Sequence, residues 1–339
     1  MIADANNLSR ENYLDFSRKN TPIIVVFAAD DNYAMPLAVT ARSILANLGK
    51  DWSITLFIID GGIKNKNKQR ILKTLGAENC EVKFIPRPDA LSKGIEEAYT
   101  YSVTEGQAKK YFSIAICYRL FIAELLPDQV ERAIYLDCDL IIKQDLGQLW
   151  ELDLGDNYAL AVQDTWMPSV QDGLLNYQEL EIAPDAKYFN SGVLFINVRK
   201  WRTEKILAKA TEYLSHNKEC IRFPDQDILN ALFVGWWGEL DPRWNVTARV
   251  YEYSSWEESP YSEDVYNNLI HKDPYIIHFV SGEKPWNSRD VLLKEHFFHY
   301  VDMTAWKGWR FTFWTELRLK LGYKFQKAIS IIESRIKNK

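Results

Sequence analysis

Two aspartates separated by a single residue, Asp137 and Asp139, directly follow the short apolar run AIYL at residues 133–136. The run predicts a strand, and in an extended chain the side chains of residues i and i+2 point the same way. In open α/β sheets, ligands bind at the carboxyl ends of such strands. Two adjacent carboxylates repel each other unless a cation lies between them, and their oxygens suit Mg²⁺ or Mn²⁺. The pair predicts a divalent-metal site, and the alternative is a solvated acidic turn.

A second group of polar residues lies in the segment YIIHFVSGEKPW at residues 275–286. His278 ends an apolar run, and a neutral imidazole is a good ligand for Mn²⁺ beside carboxylates. Lys284, close to Gly282, could neutralise a phosphate as a point charge. The alternative for the histidine is a core residue whose hydrogen bonds are satisfied within the protein. Two aspartates, this histidine and two diphosphate oxygens would nearly complete an octahedral ion.

The segment AADDNY at residues 28–33 follows the first strongly apolar run of the chain. An aspartate just past such a strand, here Asp30, can accept hydrogen bonds from a nucleoside. The other interpretation, which is compatible with binding, is that Asp30, Asp31 or Asn32 caps a helix. The sequence contains neither G-x-G-x-x-G nor G-K-[ST], so it supports neither a dinucleotide-binding fold nor a P-loop.

The elements that must position these residues alternate between strand and helix in the first third of the chain. Apolar runs predict strands at 23–29, 54–59, 80–85, 133–136, 159–162, 192–197 and 275–279. Helical spacing of apolar residues predicts helices at 38–48, 65–75, 114–126 and 226–233. The alternation indicates an α/β fold with a parallel sheet, within one fused unit that lacks an internal repeat or a long linker.

Four further polar positions each have two interpretations. Arg119 lies on a predicted apolar helix, where a cation needs either an ion-pair partner or a ligand. Asp164 follows a predicted strand, as a binding residue or as a solvated acid. The segment NSG at 190–192 is either part of a site or a turn before a strand. The segment DQD at 225–227 either carries chemistry or caps the helix that follows it.

The charge of the chain is distributed unevenly. Its 339 residues include 46 acidic and 41 basic ones, which gives a formal net charge of −5. Residues 301–339 contain nine Lys or Arg and three Asp or Glu, so the remainder of the chain is strongly acidic. An acidic body argues against a nucleic-acid partner, because neutralising phosphates needs a basic surface. With 47% hydrophobic residues, the composition is that of an ordinary globular protein with a sizeable core.

The cysteines and the N-terminus bear on the cellular compartment. The four cysteines are far apart and form no C-x-x-C pair, which indicates reduced thiols rather than disulfides or a zinc site. Residues 1–20 are polar and lack the apolar segment of a signal peptide. No apolar run reaches the length of about 18 residues that a membrane-spanning helix needs. These features predict a cytoplasmic protein with a polar extension at 1–20 and a main domain at 21–300.

The segment 301–339 forms a basic, aromatic tail. Its apolar residues recur every three or four positions, as in an amphipathic helix: Phe313, Leu317, Leu321, Phe325, Ile329, Ile332 and Ile336. Lysines and arginines lie among them, and Gly322 interrupts the pattern. Aromatic residues combined with cations suit docking onto an anionic membrane surface. The alternative is a helix packed on the main domain with its cations in solvent.

Four segments, in this order, resemble the family 8 retaining glycosyltransferases, which include the bacterial lipooligosaccharide galactosyltransferases and glycogenin. They are FAADDNY (27–33), YLDCD (135–139), YFNSGVLFINVRKW (188–201) with PDQDILN (224–230), and HFVSGEKPW (278–286). Each segment is modestly specific, but the ordered set spans most of the chain and is similar above all to the galactosyltransferase branch. The resemblance implies a GT-A fold with a mixed central sheet, Mn²⁺ or Mg²⁺, and a UDP-galactose or UDP-glucose donor.

The resemblance also implies roles for matched positions. Asp137, Asp139 and His278 would bind the metal, and Asp225 and Gln226 would be the catalytic candidates. Asp30 and Asn32 would hold the uridine and ribose, and Lys284 would contact the diphosphate. The nucleotide-sugar site as a whole would comprise Ala28, Asp30, Asn32, Arg119, Asp137, Cys138, Asp139, Asp164, Asn190, Ser191, Gly282 and Lys284.

Two positions depart from the family pattern. The family usually has Tyr two residues before the arginine, where this chain has Cys117, and this change bears on packing around the sugar. The family's Gly three residues after the metal-binding histidine is Ser281 here. The second change bears on the phosphate loop, since Ser cannot follow every conformation of Gly.

The residues agree with the mechanism that the resemblance implies. Breaking a sugar–phosphate bond leaves UDP with extra negative charge, which a divalent ion and Lys284 would stabilise. The sugar becomes oxocarbenium-like, and Asp225 and Gln226 are the candidates to stabilise it. A covalent intermediate and a same-face attack assisted by the leaving phosphate both remain open.

These observations favour a peripherally membrane-associated hexosyltransferase on the inner face of the cell membrane. Its acceptor would be a saccharide, such as lipopolysaccharide or another glycolipid. One alternative is a phosphatase of the haloacid-dehalogenase type, but that class carries D-x-D near its N-terminus and follows it with Thr or Val. The other is a non-catalytic nucleotide-sugar or glycan-binding protein, which would be expected to lack one of the aspartates or the histidine.

Overall fold

The computed structural model describes residues 21–76, 79–87 and 114–318. The strands within these residues are β1 Ile23–Ala29, β2 Ile54–Asp60, β3 Cys80–Pro86, β4 Ala133–Leu136, β5 Leu140–Ile142, β6 Ala159–Gln163, β7 Phe189–Ile196, β8 Trp237–Glu239, β9 Val246–Thr247 and β10 Ile276–His278. The α-helices include α1 Ala34–Asn47, α2 Asn65–Leu75, α3 Ile122–Leu125, α4 Leu146–Trp150, α5 Val170–Gly173, α6 Val198–Thr203, α7 Ile206–Asn217, α8 Pro224–Phe233, α9 Glu263–His271 and α10 Lys294–Val301. Short 3₁₀ helices include Asp31–Tyr33, Ile114–Phe121, Pro242–Asn245 and Ala248–Tyr251.

The strands form two sheets in the described part of the chain. The larger sheet has the order β3-β2-β1-β4-β7-β6-β8, and the smaller one has the order β5-β10-β9. Strands β3, β2, β1 and β4 run parallel, whereas β7 is antiparallel to both β4 and β6. The expected α/β fold with a mixed central sheet is therefore confirmed.

The sequence explains why β1 and β2 lie inside the larger sheet rather than at its edge. Every residue of β1 except Ala28 is buried, as is every residue of β2 except Asp60, so both strands are covered on both faces. This burial is typical of parallel strands with β-branched residues. Helix α2 is different, because it buries only Ile71 and Leu75, four residues apart, and turns Lys66 and Lys73 to solvent.

Several predicted elements differ from the observed ones. The predicted helix at 114–126 is a 3₁₀ helix followed by the single-turn helix α3, and Leu126 is extended because it precedes Pro127. The predicted strand at 192–197 begins earlier, at Phe189, so Asn190 and Ser191 lie within β7 rather than in a turn before it. Strand β5 was not predicted, since its three residues follow the aspartate pair too closely to give a separate signal.

The start of the tail packs against the main domain. Val301, Trp306 and Phe311 are buried, and the first two belong to the same hydrophobic core as β1. Phe313 and Trp314, at the start of a helix within 313–318, are 52% and 74% exposed. Leu317 of the predicted amphipathic stripe is half-buried in the same helix. The polar extension at 1–20 and the stripe from Leu321 onward lie outside the described residues.

Candidate active site

The two aspartates lie in a turn between β4 and β5. The turn, rather than the strand spacing expected from sequence, brings their carboxylates to one place. The backbone N–H of Asp137 donates to the Gly192 carbonyl at 2.8 Å, which ties the turn to β7. The buried hydroxyl of Thr40 on α1 lies 2.8 Å from the carbonyl oxygens of Cys138 and Leu140. No sequence pattern marks Thr40, because its role depends on the packing of α1 against this turn.

His278, the last residue of β10, joins the aspartate pair. Strand β10 pairs antiparallel with β5, and this pairing places His278 opposite Leu140, next to the turn. Its Nε2 lies 3.3 Å from Asp139 Oδ1 and 3.8 Å from Asp137 Oδ2. The potential ligand atoms of the three residues all lie within 4.8 Å of one another. Three predicted metal ligands, distant in sequence, therefore converge.

Hydrogen bonds that begin at the backbone fix the orientation of the histidine ring. The Gly192 N–H donates to Asn190 Oδ1 at 3.0 Å, so that atom is an acceptor and must be oxygen. It also accepts from Asn245 Nδ2 at 2.9 Å, which leaves Asn245 Oδ1 to face His278 Nδ1 at 2.8 Å. Nδ1 therefore carries the proton, and in the neutral imidazole Nε2 turns its lone pair toward the two aspartates.

The donor set fits a divalent cation. Asp139 Oδ1 is buried without a hydrogen-bond partner among the described residues, and two carboxylates plus an imidazole lone pair suit Mn²⁺ or Mg²⁺. Desolvation raises the pKa of Asp137, although the Arg119 guanidinium opposes this, and the charge of Asp139 adds to the increase. A side chain at Gly192 would occupy this space, because an added Cβ would lie 2.3 Å from His278 Cε1 and 2.8 Å from Asp137 Oδ2.

Arg119 connects the metal candidates to the sugar-site candidates. Its fully buried guanidinium lies 2.7 Å from Asp137 Oδ1 and 3.0 Å from Asp225 Oδ2. It also donates to the carbonyl oxygen and the hydroxyl of Ser191, at 2.6 and 2.9 Å. Burial disfavours the charged form, but the carboxylates of Asp137 and Asp225 outweigh this effect and raise the pKa of Arg119. The Arg119 guanidinium thus has ion-pair partners and also borders the candidate site, so both interpretations of this residue hold.

Gln226 is held by two other predicted site residues. Its Oε1 accepts the Ser191 N–H at 2.9 Å, and its Nε2 donates to Asp164 Oδ2 at 3.1 Å. Asp164 is only 4% exposed and also accepts from Asn190 Nδ2 at 2.9 Å, so it is not a solvated acid. Asp225 accepts from the Ser191 hydroxyl at 2.8 Å. The amide and the carboxylate at the start of α8 are therefore fixed relative to β7.

Asp227 and Asn230, which no sequence pattern assigns to the site, hold α8 against β7 and the residue before it. The Tyr188 hydroxyl donates to Asp227 Oδ1 at 2.5 Å, and Asp227 Oδ2 accepts two backbone N–H groups from the residues before α8. Burial raises the pKa of Asp227 to about 6 despite these hydrogen bonds. The Asn230 side chain exchanges hydrogen bonds with both backbone groups of Phe189. In the sequence, Asp227 and Asn230 are marked only by their positions within the segment PDQDILN.

The remaining predicted residues border this cluster. The Cys138 thiol lies 3.4 Å from the carbonyl oxygen of Ala28, so the aspartate turn is next to the end of β1. Asp30 Oδ1 accepts the N–H groups of Asn32 and Tyr33, at 2.9 and 3.2 Å, and therefore caps the 3₁₀ turn as one interpretation held. Asn32 is exposed.

The loop after His278 accommodates the departure from the family pattern. Among the described residues other than glycine, a positive φ occurs at Glu181, Lys205 and Leu293, so Ser281 needs no conformation reserved for glycine. Gly282 is exposed, and an added Cβ there would meet no atom within 4 Å. At the other departure, Cys117 is fully buried beside the Arg119 network, and its burial raises the pKa of its thiol.

Comparison with known proteins identifies the class to which this fold and site belong. The family model described as "Glycosyl transferase family 8" matches residues 24–290, and the chain belongs to this family. The chain has the GT-A fold, and superposition on the crystal structure of the galactosyltransferase LgtC with donor and acceptor sugar analogs gives a TM-score of 0.69 at 30% identity. The superposition covers 83% of this chain and 96% of that one. Family membership excludes the phosphatase alternative.

Curated relatives come from several bacteria. General stress protein A of Bacillus subtilis is 31% identical over 85% of this chain and 96% of its own length. The lipopolysaccharide 1,2-glucosyltransferase of Escherichia coli K12 is 27% identical over 78% of this chain and 72% of its own length. The relatives thus include a glucosyltransferase and a galactosyltransferase, and the protein itself is a glycosyltransferase of their family.

Proposed function

We propose that this protein is a retaining, metal-dependent hexosyltransferase that moves galactose or glucose from a UDP-sugar to a saccharide acceptor. The observation that carries the proposal is the convergence of two carboxylates and an oriented imidazole lone pair. The converging groups lie directly beside the network of Arg119, Asp225 and Gln226. The names of the family relatives, a glucosyltransferase and a galactosyltransferase, support the hexose donor.

Asp137, Asp139 and His278 would hold the metal ion, Mn²⁺ or Mg²⁺. When bound, the ion would offset the negative charge that develops on the leaving diphosphate. Lys284 adds a positive charge on the same side of the site, because its ammonium contacts Asp139. Ala28, Asp30, Asn32 and Cys138 line the adjacent end of β1 and the aspartate turn, where we place the nucleoside.

Arg119, Asp164, Asn190 and Ser191 would surround the transferred sugar, and Asp225 and Gln226 are the groups proposed to act at its reacting carbon. The Asp225 carboxylate is already ion-paired with Arg119 and hydrogen-bonded to Ser191, and both engagements reduce its strength as a nucleophile. The Gln226 carbonyl oxygen is also hydrogen-bonded, to the Ser191 N–H. These contacts favour same-face attack assisted by the leaving phosphate, with both residues stabilising the oxocarbenium-like sugar.

The acceptor is proposed to be a glycolipid such as lipopolysaccharide, reached at the inner face of the cell membrane. The description of one relative as a lipopolysaccharide glucosyltransferase supports this acceptor. No helix within the described residues has the length and apolar character needed to cross a membrane. The basic tail with its exposed Phe313 and Trp314 is the part proposed to dock on an anionic membrane surface from the cytoplasm.

The decisive experiment measures the hydrolysis of a panel of UDP-sugars by the full chain with Mn²⁺ and without acceptor. We expect one hexose donor to be cleaved, and we expect Asp139→Asn to abolish most of the cleavage. Asp264→Asn, an exposed position on α9, is the matched control and should behave as the native chain does. Binding of a UDP-sugar without cleavage, equal in native chain and Asp139→Asn, would instead support a non-catalytic binding protein. Proton NMR of the released sugar tests the retaining stereochemistry.

A further inference from the structure

The ammonium of Lys284 is enclosed by protein groups rather than presented to solvent. Its Nζ lies 2.5 Å from Asp139 Oδ2, and it also donates to the carbonyl oxygen of Phe279. The side chain is only 10% exposed. The other oxygen of the same carboxylate, Oδ1, faces His278 as part of the candidate metal site. Asp139 thus lies between two positions for a cation.

The backbone of Lys284 is anchored, so a change of partner would involve the side chain. Its N–H donates to Asn287 Oδ1 at 2.6 Å, and its carbonyl oxygen accepts the N–H groups of Asn287 and Ser288 at 3.0 and 2.9 Å. The four-carbon stem of a lysine is flexible and can carry its charge over several ångströms. Residues 281–283, which precede it, are exposed and leave an open side toward solvent.

A divalent ion and the Lys284 ammonium would compete for the negative charge of Asp139. A divalent ion needs the negative charge of Asp139, and Lys284 already neutralises much of it. Two positive charges on opposite oxygens of one buried carboxylate repel each other strongly, because little water is present to screen them. Moving the Lys284 ammonium away from Asp139 gives up its anionic partner and the Phe279 carbonyl oxygen, and this loss is costly unless a new partner replaces them. A diphosphate arriving with the donor would supply such a partner.

We propose that Lys284 exchanges partners during donor binding. It neutralises Asp139 while no nucleotide is bound, and it transfers to the diphosphate when a divalent ion and the donor occupy the site. This inference rests on the proposed function, because it takes Asp139 as a metal ligand and a nucleoside diphosphate as part of the donor. Lys284 would then weaken metal binding in the absence of donor and link metal binding to donor binding. By thermodynamic reciprocity, the ion and the nucleotide would each strengthen binding of the other.

The test measures Mn²⁺ affinity of the full chain by electron paramagnetic resonance, with and without UDP. We expect Lys284→Met to bind Mn²⁺ about five- to tenfold more tightly than the native chain without UDP, a typical size for coupling between two sites. We expect UDP to raise the Mn²⁺ affinity of this variant less than it raises that of the native chain. Lys284→Arg, which keeps the charge, should remain near the native values.

A matched control is Lys209→Gln, which removes a lysine from an exposed ion pair with Glu204 and should change neither affinity. Unchanged or weaker Mn²⁺ binding by Lys284→Met without UDP would overturn the exchange but would leave the proposed function standing. Failure of the native chain to bind Mn²⁺ even with UDP present would overturn both. If Lys284→Met does not fold, Lys284→Gln is measured instead with the same expectation, because it keeps hydrogen-bond donors but carries no charge.

Discussion

The imidazole Nδ1 of His278 lies 2.8 Å from the side-chain oxygen of Asn245, and this contact directs the opposite ring nitrogen toward Asp137 and Asp139. Asn245 is buried and is itself oriented by Asn190, which in turn accepts a backbone N–H of β7. The orientation of a candidate metal ligand therefore traces back to the main chain of the central sheet. Partners of this kind hold a ligand ready for its metal and raise its basicity.

Replacing Asn245 tests this relationship. Asn245→Ala removes the acceptor for Nδ1–H, so the histidine ring should lose its fixed orientation and proton placement. We expect the affinity for Mn²⁺ to fall by about 10- to 100-fold, the usual cost of removing such a partner. Isothermal titration calorimetry with Mn²⁺ measures the change. Asn267→Ala, an exposed position on α9, is the control, and equal affinities for both variants would contradict the assigned role of Asn245.

Removing the charge of Arg119 should destabilise the protein itself. Arg119→Met leaves the carboxylates of Asp137 and Asp225 without their buried cation, and breaking a buried ion pair costs about 3–5 kcal/mol. Urea unfolding measures this loss in the free energy of unfolding. In contrast, Arg199→Gln removes an exposed pair with Glu131 whose atoms are 3.9 Å apart, and it should cost less than about 1 kcal/mol. Similar losses for the two variants would show that the buried network contributes no special stability.

Asp227 should make the stability depend on pH. Burial raises its pKa to about 6 in the folded protein from the ordinary 3.8, so its favourable contribution is present below about pH 4 and is lost as the pH rises through 6. The shift corresponds to roughly 2–3 kcal/mol. We therefore expect the native chain to lose about this much stability relative to Asp227→Asn between pH 4 and pH 7. Urea unfolding across this range tests the expectation, and parallel stability curves for the two proteins would refute it.

The exposed aromatic residues at the start of the helix within 313–318 should mediate membrane docking. Changing Phe313 and Trp314 together to Ser removes two side chains that pack little on the main domain. Burying a large apolar side chain contributes roughly 1.5–3 kcal/mol, so binding to vesicles that contain phosphatidylglycerol should weaken at least about tenfold. Flotation of the full chain measures the binding, with neutral phosphatidylcholine vesicles for comparison.

Trp256→Ser is the matched control for this test, because Trp256 is also exposed but lies in a 3₁₀ helix between β9 and α9. It should leave flotation unchanged. Equal binding by the native chain and the Phe313/Trp314 double variant would rule out docking through these aromatics. A truncation after residue 300 would be a poor substitute, since it would remove the buried side chains of Val301 and Trp306.

Local sequence determined much of the framework. The apolar runs of β1, β2 and β4 correctly predicted buried strands, because short, continuous apolar runs are typical of strands covered on both faces. The ordered polar segments at the ends of these strands were enough to indicate the family and the metal candidates. These signals are local, since a strand end and its polar residue are neighbours in the chain.

Only the tertiary structure decided how the candidates act on one another. Asn245 acquires its position from contacts with Asn190 and His278, 55 and 33 positions away in the chain. Thr40 contacts Cys138 and Leu140, 98 and 100 positions away, and Asp227 contacts Tyr188, 39 positions away. The 3₁₀ helix that carries Arg119 is likewise held by ion pairs that no local pattern encodes. A short polar side chain has no periodicity of its own, so its role emerges only when packing brings a partner within hydrogen-bond distance. The sequence therefore determined which candidate chemical groups the chain carries, and packing decided which of their atoms face one another.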